Sequence, residues 1–491
     1  MRKLVIIPFV LIVSGIGALL HLSEAKVEVG NKVIGHNPDR INNLFGVHSL
    51  FWAVQDNLSD TAGEMTPQSL MRLREAGVDL IRHGGGINEI DWSKCIGPVA
   101  ERQPQKVMSW AMPIPCRFGI AEYEHVNDQL GAKYSWHMSN LVGFEFKKEP
   151  LERMASAASG HAQAVKALSR GRQVYWELGN ELGDGVQKWS AEEIGDRAVR
   201  IASVIRAVDP AAKFVVPLLT FRPAWVKNDL EFNHELAERV KHYTSAFALH
   251  TYYDNAPEGP RVSNRLKRIA DTSAQLRKQG FLAPELWVTE HSRWPAGNPG
   301  QGIAWQGAWY QAADFDALLS SAEFMIGLTQ LEDVDGAMWH VLNGGAWSFL
   351  LLNNGEPVLS PLAHLFKLLQ PRAQLDALST VTYPAHYMRG YLNAKVRATV
   401  LKNRDSNAVY IWLVNRSDVA VDLPIKGPMF KHDALISASD KTLQEGPYDA
   451  LSKSMSALIV QNTQALKVSK TGSTTITVPA RAVLNIELLA N

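Results

Sequence analysis

The sequence predicts an α/β protein, a (β/α)8 TIM barrel followed by an antiparallel β-sandwich. Three observations predict it. From about residue 41 to 370, short apolar runs alternate with amphipathic stretches eight times, the pattern of repeated βα units. After Pro371 the helical period disappears, and segments alternating apolar and polar residues lie between Asn, Gly, Ser and Asp turns. The chain of 491 residues also exceeds what one hydrophobic core usually fills, so a large and a smaller domain are expected. With 46% hydrophobic and 20% charged residues, it is neither a disordered nor a small disulfide-stapled class of chain.

In order along the chain, residues 1–25 read as a secretory signal. Arg2 and Lys3 give the positive start, Leu4 to Leu20 is apolar, and Ser23-Glu24-Ala25 offers small residues for cleavage. A spanning anchor is the alternative, although the apolar run falls just short of a comfortable membrane helix. The protein is therefore expected to be exported, periplasmic or secreted, with no stable membrane association once the signal is removed. In an oxidising compartment Cys95 and Cys116, the two cysteines of the chain, are candidates for a disulfide, with two buried thiols as the other reading. Residues 26–40 alternate and are expected to add an edge strand to the sandwich; 41–370 form the barrel and 371–491 the sandwich.

The eight barrel strands are read at Leu44–His48, Val78–His83, Lys133–Met138, Val174–Asn180, Lys213–Leu218, Ala246–Thr251, Leu286–Thr289 and Gly336–Val341. Helix signals fall between them. Thr66-Pro67 is a cap followed by proline at the first helical position, and Ser190-Ala191-Glu192-Glu193 is a capping box. Gly280 stops a helix that begins near Val262. In the tail, strands are read at Val396–Leu401, Val409–Val414, Val419–Leu423, Ile459–Gln461 and Thr474–Val478.

In such a barrel the chemistry sits at the C-terminal ends of the strands. Glu181 closes the fourth in Trp176-Glu177-Leu178-Gly179-Asn180-Glu181, and Glu290 closes the seventh in Leu286-Trp287-Val288-Thr289-Glu290. Two carboxylates facing each other across a cleft can divide glycoside hydrolysis. One, protonated, donates to the leaving oxygen while the other, ionised, attacks the anomeric carbon.

These motifs resemble the retaining clan of glycoside hydrolases with catalytic glutamates on strands four and seven, and most closely family 51, the α-L-arabinofuranosidases. Tyr175-Trp176-Glu177-Leu178-Gly179-Asn180-Glu181 resembles their acid/base motif. The resemblance implies that Glu181 is the acid/base, Glu290 the nucleophile, and Asn180 a contact to the sugar hydroxyl next to the anomeric carbon. Phe118-Gly119-Ile120-Ala121-Glu122-Tyr123, with Leu130-Gly131-Ala132, resembles the family's approach to strand three. Arg82 with Gly84-Gly85-Gly86 resembles its second-strand motif, in which an arginine orients the nucleophile, and His250 and Tyr252 match the pair after strand six. The chain departs from the family in three places. Thr289-Glu290-His291 replaces Asp-Glu-Trp, Phe45 to Leu50 lacks the family's sugar-contacting glutamate, and Ile87 separates the glycines from Asn88.

Supporting groups follow from position. Arg82 is expected to hydrogen-bond Glu290 and hold it ionised, and Tyr252 to donate to the same carboxylate. His48, His83, His137, His250, His291 and His340 all fall near strand ends. Sugar hydroxyl contacts are expected for most of them, with His291 turned away by strand alternation. Their spacing matches no metal motif, so neither a metal nor another cofactor is expected, and a metal-dependent hydrolase is the minority reading. Trp92, Trp294, Trp339 and Trp347 lie in or near βα loops, where indole faces stack on sugars.

The function expected is that of a retaining glycosidase, most like an α-L-arabinofuranosidase, with an oligo- or polysaccharide as partner. The alternatives are a β-glycosidase or endo-glycanase of the same clan, and a non-catalytic carbohydrate-binding barrel. A formal net charge of +1 gives no general electrostatic case for nucleic acid or acidic lipid.

Overall fold

The computed structural model describes residues 25–488 except 85–89, 108–111, 146, 184–187, 221–225, 227, 255–260, 296–307, 372, 384–395, 407, 431–434, 450–453 and 470–471. The expected signal segment lies outside the described residues but for Ala25.

Strand β1 (Lys26–Ile34) precedes eight parallel strands, β2 (Gly46–Ser49), β3 (Ile81–His83), β4 (Tyr134–Ser139), β5 (Gln173–Leu178), β6 (Lys213–Pro217), β7 (Ala246–Tyr253), β8 (Glu285–Arg293) and β9 (Val334–His340). These eight close into a barrel in sequence order, β9 pairing back to β2. All eight expected barrel strands are present, with ends shifted by up to four residues. A helix follows each: α1 (Pro67–Ala76), α2 (Ile120–Leu130), α3 (Leu151–Leu168), α4 (Ala191–Val208), α5 (Asp229–Val240), α6 (Val262–Lys278), α7 (Phe315–Leu328) and α8 (Pro361–Leu369). The local signals act where they were read. Thr66 Oγ1 accepts from the Ser69 N–H, Ser190 Oγ accepts from the Glu193 N–H, and Gly280 ends α6 with φ +88°.

Strand alternation sorts the barrel into layers. Leu80, Trp136, Tyr175, Val215, Ala248, Trp287 and Met338 form a separate apolar cluster inside it. Their outward neighbours, such as Ile81, Trp176, Val216 and Leu249, pack under the helices. Gly46 completes the inner layer because a Cβ there would meet the Met338 side chain at 2.8 Å and the Ala337 carbonyl at 2.9 Å. Between β3 and α2, Cys95 and Cys116 are joined in a disulfide, with Cα atoms 5.2 Å apart. Arg102, inside that loop, pairs with Glu122 at 2.8 Å.

The second domain is the expected sandwich, built from one continuous sheet. Its strands are β10 (Leu375–Tyr383), β11 (Val396–Asn403), β12 (Val409–Asn415), β13 (Val421–Lys426), β14 (Leu435–Asp449), β15 (Ser454–Lys467), β16 (Ser473–Val478) and β17 (Ala482–Leu488). They form, with β1, one continuous nine-stranded sheet in the order β15-β14-β17-β12-β11-β10-β1-β13-β16, curled on itself. β1 is not the edge strand expected: it joins the two halves, antiparallel to β10 and parallel to β13. The central strands are buried on both faces. Ile411 and Leu413 line the core between the curled halves, whereas Trp412 and Val414 belong to the core shared with the barrel helices.

A buried ionic network also crosses this contact. Glu323 of α7 accepts from Arg397 of β11 at 3.1 Å and from Arg416 at 2.7 Å, and Arg416 donates to Asp254 at 2.8 Å. Removing one member of such a group strands the others in a low-dielectric setting. Glu323→Ala is expected to cost about 3–5 kcal/mol of unfolding free energy, read from denaturant midpoints. A cost below about 1 kcal/mol, the range of exposed pairs, would show that the network contributes no more than a surface contact does.

Candidate active site

One step along five of the strands from the apolar layer, toward the C-terminal mouth, the inward side chains become polar. Gly46 is followed by His48, Leu80 by Arg82, Tyr175 by Glu177, Ala248 by His250 and Met338 by His340. β8 alone breaks this period. Between its pairings Trp287↔Ala248 and Glu290↔His250 it holds one residue more than β7. The bulge lets the adjacent Thr289 and Glu290 both face the lumen and re-aims the carboxylate of Glu290. Glu290 therefore lies within β8 rather than closing it.

Arg82 is the hub. Its Nε and Nη2 donate to Glu177 at 2.6 and 2.9 Å, its Nη1 to Glu290 Oε1 at 2.7 Å, and Nη2 also to Asn180 Oδ1 at 2.8 Å. Glu177 accepts further from Trp136 Nε1 at 3.0 Å and Thr289 Oγ1 at 3.2 Å. On the other side of Glu290, Tyr252 donates its hydroxyl to Oε2 at 2.8 Å. Glu181 lies three residues beyond the end of β5, at φ +50°. Its side chain is 40% exposed, and Oε1 accepts from His250 Nδ1 at 2.7 Å. The Glu181 and Glu290 carboxylates have oxygens within 4.8 Å of each other, with His250 Nδ1 between them, 3.7 Å from Glu290 Oε2.

Charge follows from these contacts. Burial opposes ionisation of Glu290, but cationic His250 and Arg82 hold it well below the usual carboxylate range. Glu177 is likewise opposed by burial and is held at about 2 by the Arg82 charge and the facing His250. Burial would lower His250, yet Glu290, Glu177 and Glu181 push it up to about 10. His48 stays neutral, lowered by burial and then by Arg82.

Several expectations need correction. The six histidines do not share one mouth. His83 stacks on Tyr123 with ring centres 4.4 Å apart, His137 Nε2 lies 2.8 Å from Glu124 Oε1, and His291 packs on Phe324 and Trp339. Each directly follows an inward residue (Arg82, Trp136 or Glu290), so alternation turns it under the helices and away from the cleft; for His291 that is the orientation alternation predicts. Trp339 is also wholly buried, and its Nε1 donates to the Trp347 carbonyl at 2.7 Å. It is no stacking surface, and Trp92 is likewise buried, against Phe51 and His83. His48 is buried beneath Arg82 and His340, so it supports Glu290 rather than touching substrate. Trp294, Trp347, Tyr252 and His340 do form an aromatic wall beside Glu290, with ring centres 5.1 to 6.0 Å apart. Asn88 lies outside the described residues.

Glu177 was missed by the motif reading, although its signal was present. It is an acidic residue two positions after Tyr175 on the inward face of an otherwise apolar strand. Among the described residues two groups of would-be metal ligands exist, Glu181-His250-Glu290 and His48-Glu290-His340. In both, the Glu290 charge is already met by Arg82 and His250.

No protein-family profile matches the chain. It is 24% identical over 469 residues to an exo-α-(1→6)-L-arabinofuranosidase of Bifidobacterium longum, covering 83% of this chain and 85% of that protein. Among solved structures, a glycoside hydrolase family 51 arabinofuranosidase from Xanthomonas axonopodis pv. citri superposes with a TM-score of 0.74 at 17% identity, over 95% of this chain and 100% of that one. A family 51 α-L-arabinofuranosidase from Bifidobacterium longum gives 0.72 at 16%, over 95% and 99%. The chain therefore has the fold of the family 51 arabinofuranosidases, a TIM barrel with a C-terminal β-domain.

The charges imply a pH signature. The raised His250 contributes stability that is complete below its unfolded value near 6.5 and is lost as pH climbs to about 10. The lowered Glu177 contributes stability that is complete above 4.5 and is lost as pH falls toward 2. Unfolding free energies of the wild type should fall on both limbs, and His250→Gln should flatten the alkaline one. An alkaline limb unchanged in His250→Gln would show that His250 carries no buried charge.

Proposed function

We propose that the protein is a retaining glycoside hydrolase acting on α-L-arabinofuranosides by double displacement. The observation that carries this reading is the approach of the Glu181 and Glu290 oxygens to within 4.8 Å. That separation is of the retaining kind, about 5 Å, and falls short of the about 6.5–9.5 Å between carboxyl groups that inversion needs. Their surroundings divide the roles. Glu290, buried and ionised on Arg82 and Tyr252, is the nucleophile. Glu181, half exposed at the mouth and hydrogen-bonded to His250, reaches the leaving oxygen, protonates it, and then takes a proton from the water that releases the sugar. The arabinofuranoside substrate is supported by the relatives of like fold.

Glu181→Gln and Glu290→Gln are each expected to lower turnover of an aryl α-L-arabinofuranoside by at least about 10³-fold with the folded state retained by circular dichroism. A 2-fluoro arabinofuranosyl probe should add one glycosyl mass to the wild type and none to Glu290→Gln. Near-normal turnover in either variant would refute the assignment, and glycan binding without adduct or turnover would indicate a binding protein. A panel of aryl glycosides, including β-xylosides and β-glucosides, separates the arabinofuranosidase from its clan relatives.

We further propose that the protein is exported. The N-terminal segment, with its basic start and apolar run, and the Cys95–Cys116 disulfide support this. Among the described residues no helix is long and apolar enough to cross a membrane. The mature protein should begin at Lys26 by N-terminal sequencing; an N-terminus at Met1 in exported material would mean that the segment is retained as an anchor.

A further inference from the structure

We propose that His48 and His340 form a relay of fixed tautomers that makes His340 Nε2 a hydrogen-bond donor to an oxygen of the same sugar ring that Glu290 attacks. This rests on the hydrolase reading above.

The relay begins at Arg82, which can only donate. Its Nη1 lies 3.1 Å from His48 Nε2 and 3.2 Å from Nδ1, inside the barrel where His48 is fully buried. A proton on Nε2 would find no acceptor among the described residues, whereas one on Nδ1 has His340 Nδ1 at 2.9 Å and Glu290 Oε1 at 3.4 Å. Nε2 therefore carries a lone pair and accepts from Arg82, which places the single proton of the neutral ring on Nδ1. His48 Nδ1 is 2.9 Å from His340 Nδ1, so His48 donates and His340 Nδ1 accepts. The proton of a neutral His340 is then on Nε2. Both rings are held in the neutral form, His48 by burial and the Arg82 charge, His340 chiefly by burial.

Position supplies the target. The inner edge of His340 faces Glu290, with Nδ1 3.6 Å from Oε2, and the ring is braced by Trp347 at 5.4 Å. The side chain remains 13% exposed, and no described residue bonds Nε2, so the edge bearing that N–H is the one left for the cleft beside the nucleophile. A sugar seated for attack by Glu290 would present a hydroxyl or ring oxygen there as acceptor. Arg82 thus acts on the sugar twice, directly through Glu290 and indirectly through two imidazoles.

The test uses the aryl glycoside that the wild type cleaves best, together with its single-deoxy analogues. His340→Asn keeps a polar group near the Nδ1 position and loses the outer donor, whereas His340→Gln places its amide near Nε2. His340→Asn should lose about 10-fold in kcat/KM, and His340→Gln should recover most of it. For one deoxy analogue the penalty seen with wild type should vanish in His340→Asn, a coupling that a merely structural role would not produce. Equal losses in the two variants, or a full deoxy penalty in His340→Asn for every analogue, would overturn the proposal. Imidazole 15N–1H spectra of the free enzyme, assigned with His48→Gln and His340→Gln, give a readout independent of turnover. Protonation at His48 Nδ1 and His340 Nε2 supports the relay, and the opposite pattern or a cationic His340 refutes it. A wild type inert on every glycoside would sink the hydrolase reading, while the spectra would still decide the tautomers.

Discussion

A barrel mouth that must hold two carboxylates in an interior closed to water needs a cation shared between them, and Arg82 meets that need. Its planar guanidinium presents donors in a fixed fork, so one group can satisfy Glu177 through two bonds, Asn180 through another and Glu290 through a fourth. A lysine would bring the charge without the geometry. With Arg82 fixed by Glu177, the orientation of Glu290 is fixed in turn, and Tyr252 closes its other side. Glu177 is wholly buried behind Arg82, yet the placing of Glu290 depends on where it holds the arginine.

The second cation, His250, explains why the carboxylates differ. It lies among Glu177, Glu181 and Glu290, and the sum of their fields outweighs the burial that would discharge it. Glu290 meets positive charge on two sides inside the barrel. Glu181 meets it on one side only and keeps its outer face in solvent, which suits a group that must exchange protons with a leaving group and with water. The left-handed backbone at Glu181 follows Gly179, at φ +88°, and turns the chain sharply out of β5. That turn takes Glu181 across the mouth toward His250 and away from the inward row that Glu177 occupies.

How much of this was legible in the sequence depended on the period of two. The eight strands, the caps at Thr66 and Ser190, the glutamate pair, and the pairing of Arg82 and Tyr252 with Glu290 follow from local patterns that the structure preserves. The same alternation carried through each strand also separates Trp339 from His340 and His83 from Arg82, and it places Glu177 beside Tyr175. Strand-end position alone treats all of these as neighbours of one cleft, which is why His83, His137 and Trp339 were assigned to it. The bulge in β8 was not legible. Parity would put Thr289 and Glu290 on opposite faces, and only the pairing of β8 with β7 reveals the extra residue. The single curled sheet was hidden for a related reason, because the parallel contact of β1 with β13 joins segments almost 400 residues apart.

That sheet does more than cap the barrel. Its central strands bury Trp412 and Val414 against the barrel helices, and Arg416, just past β12, reaches Asp254 at 2.8 Å. Asp254 immediately follows β7, the strand that carries both His250 and Tyr252. The mouth of a TIM barrel is made of loops, which are the least constrained part of the fold. A buried ion pair from a second domain onto the end of one strand removes that freedom at the strand where the site can least tolerate it, since a shift there would move the cation beside Glu181 and the donor to Glu290 together. The same Arg416 also bonds Glu323 inside α7, the helix that follows the strand carrying Glu290. One side chain of the β-domain therefore ties together the barrel unit that carries Glu290 and the one that carries its neighbours His250 and Tyr252.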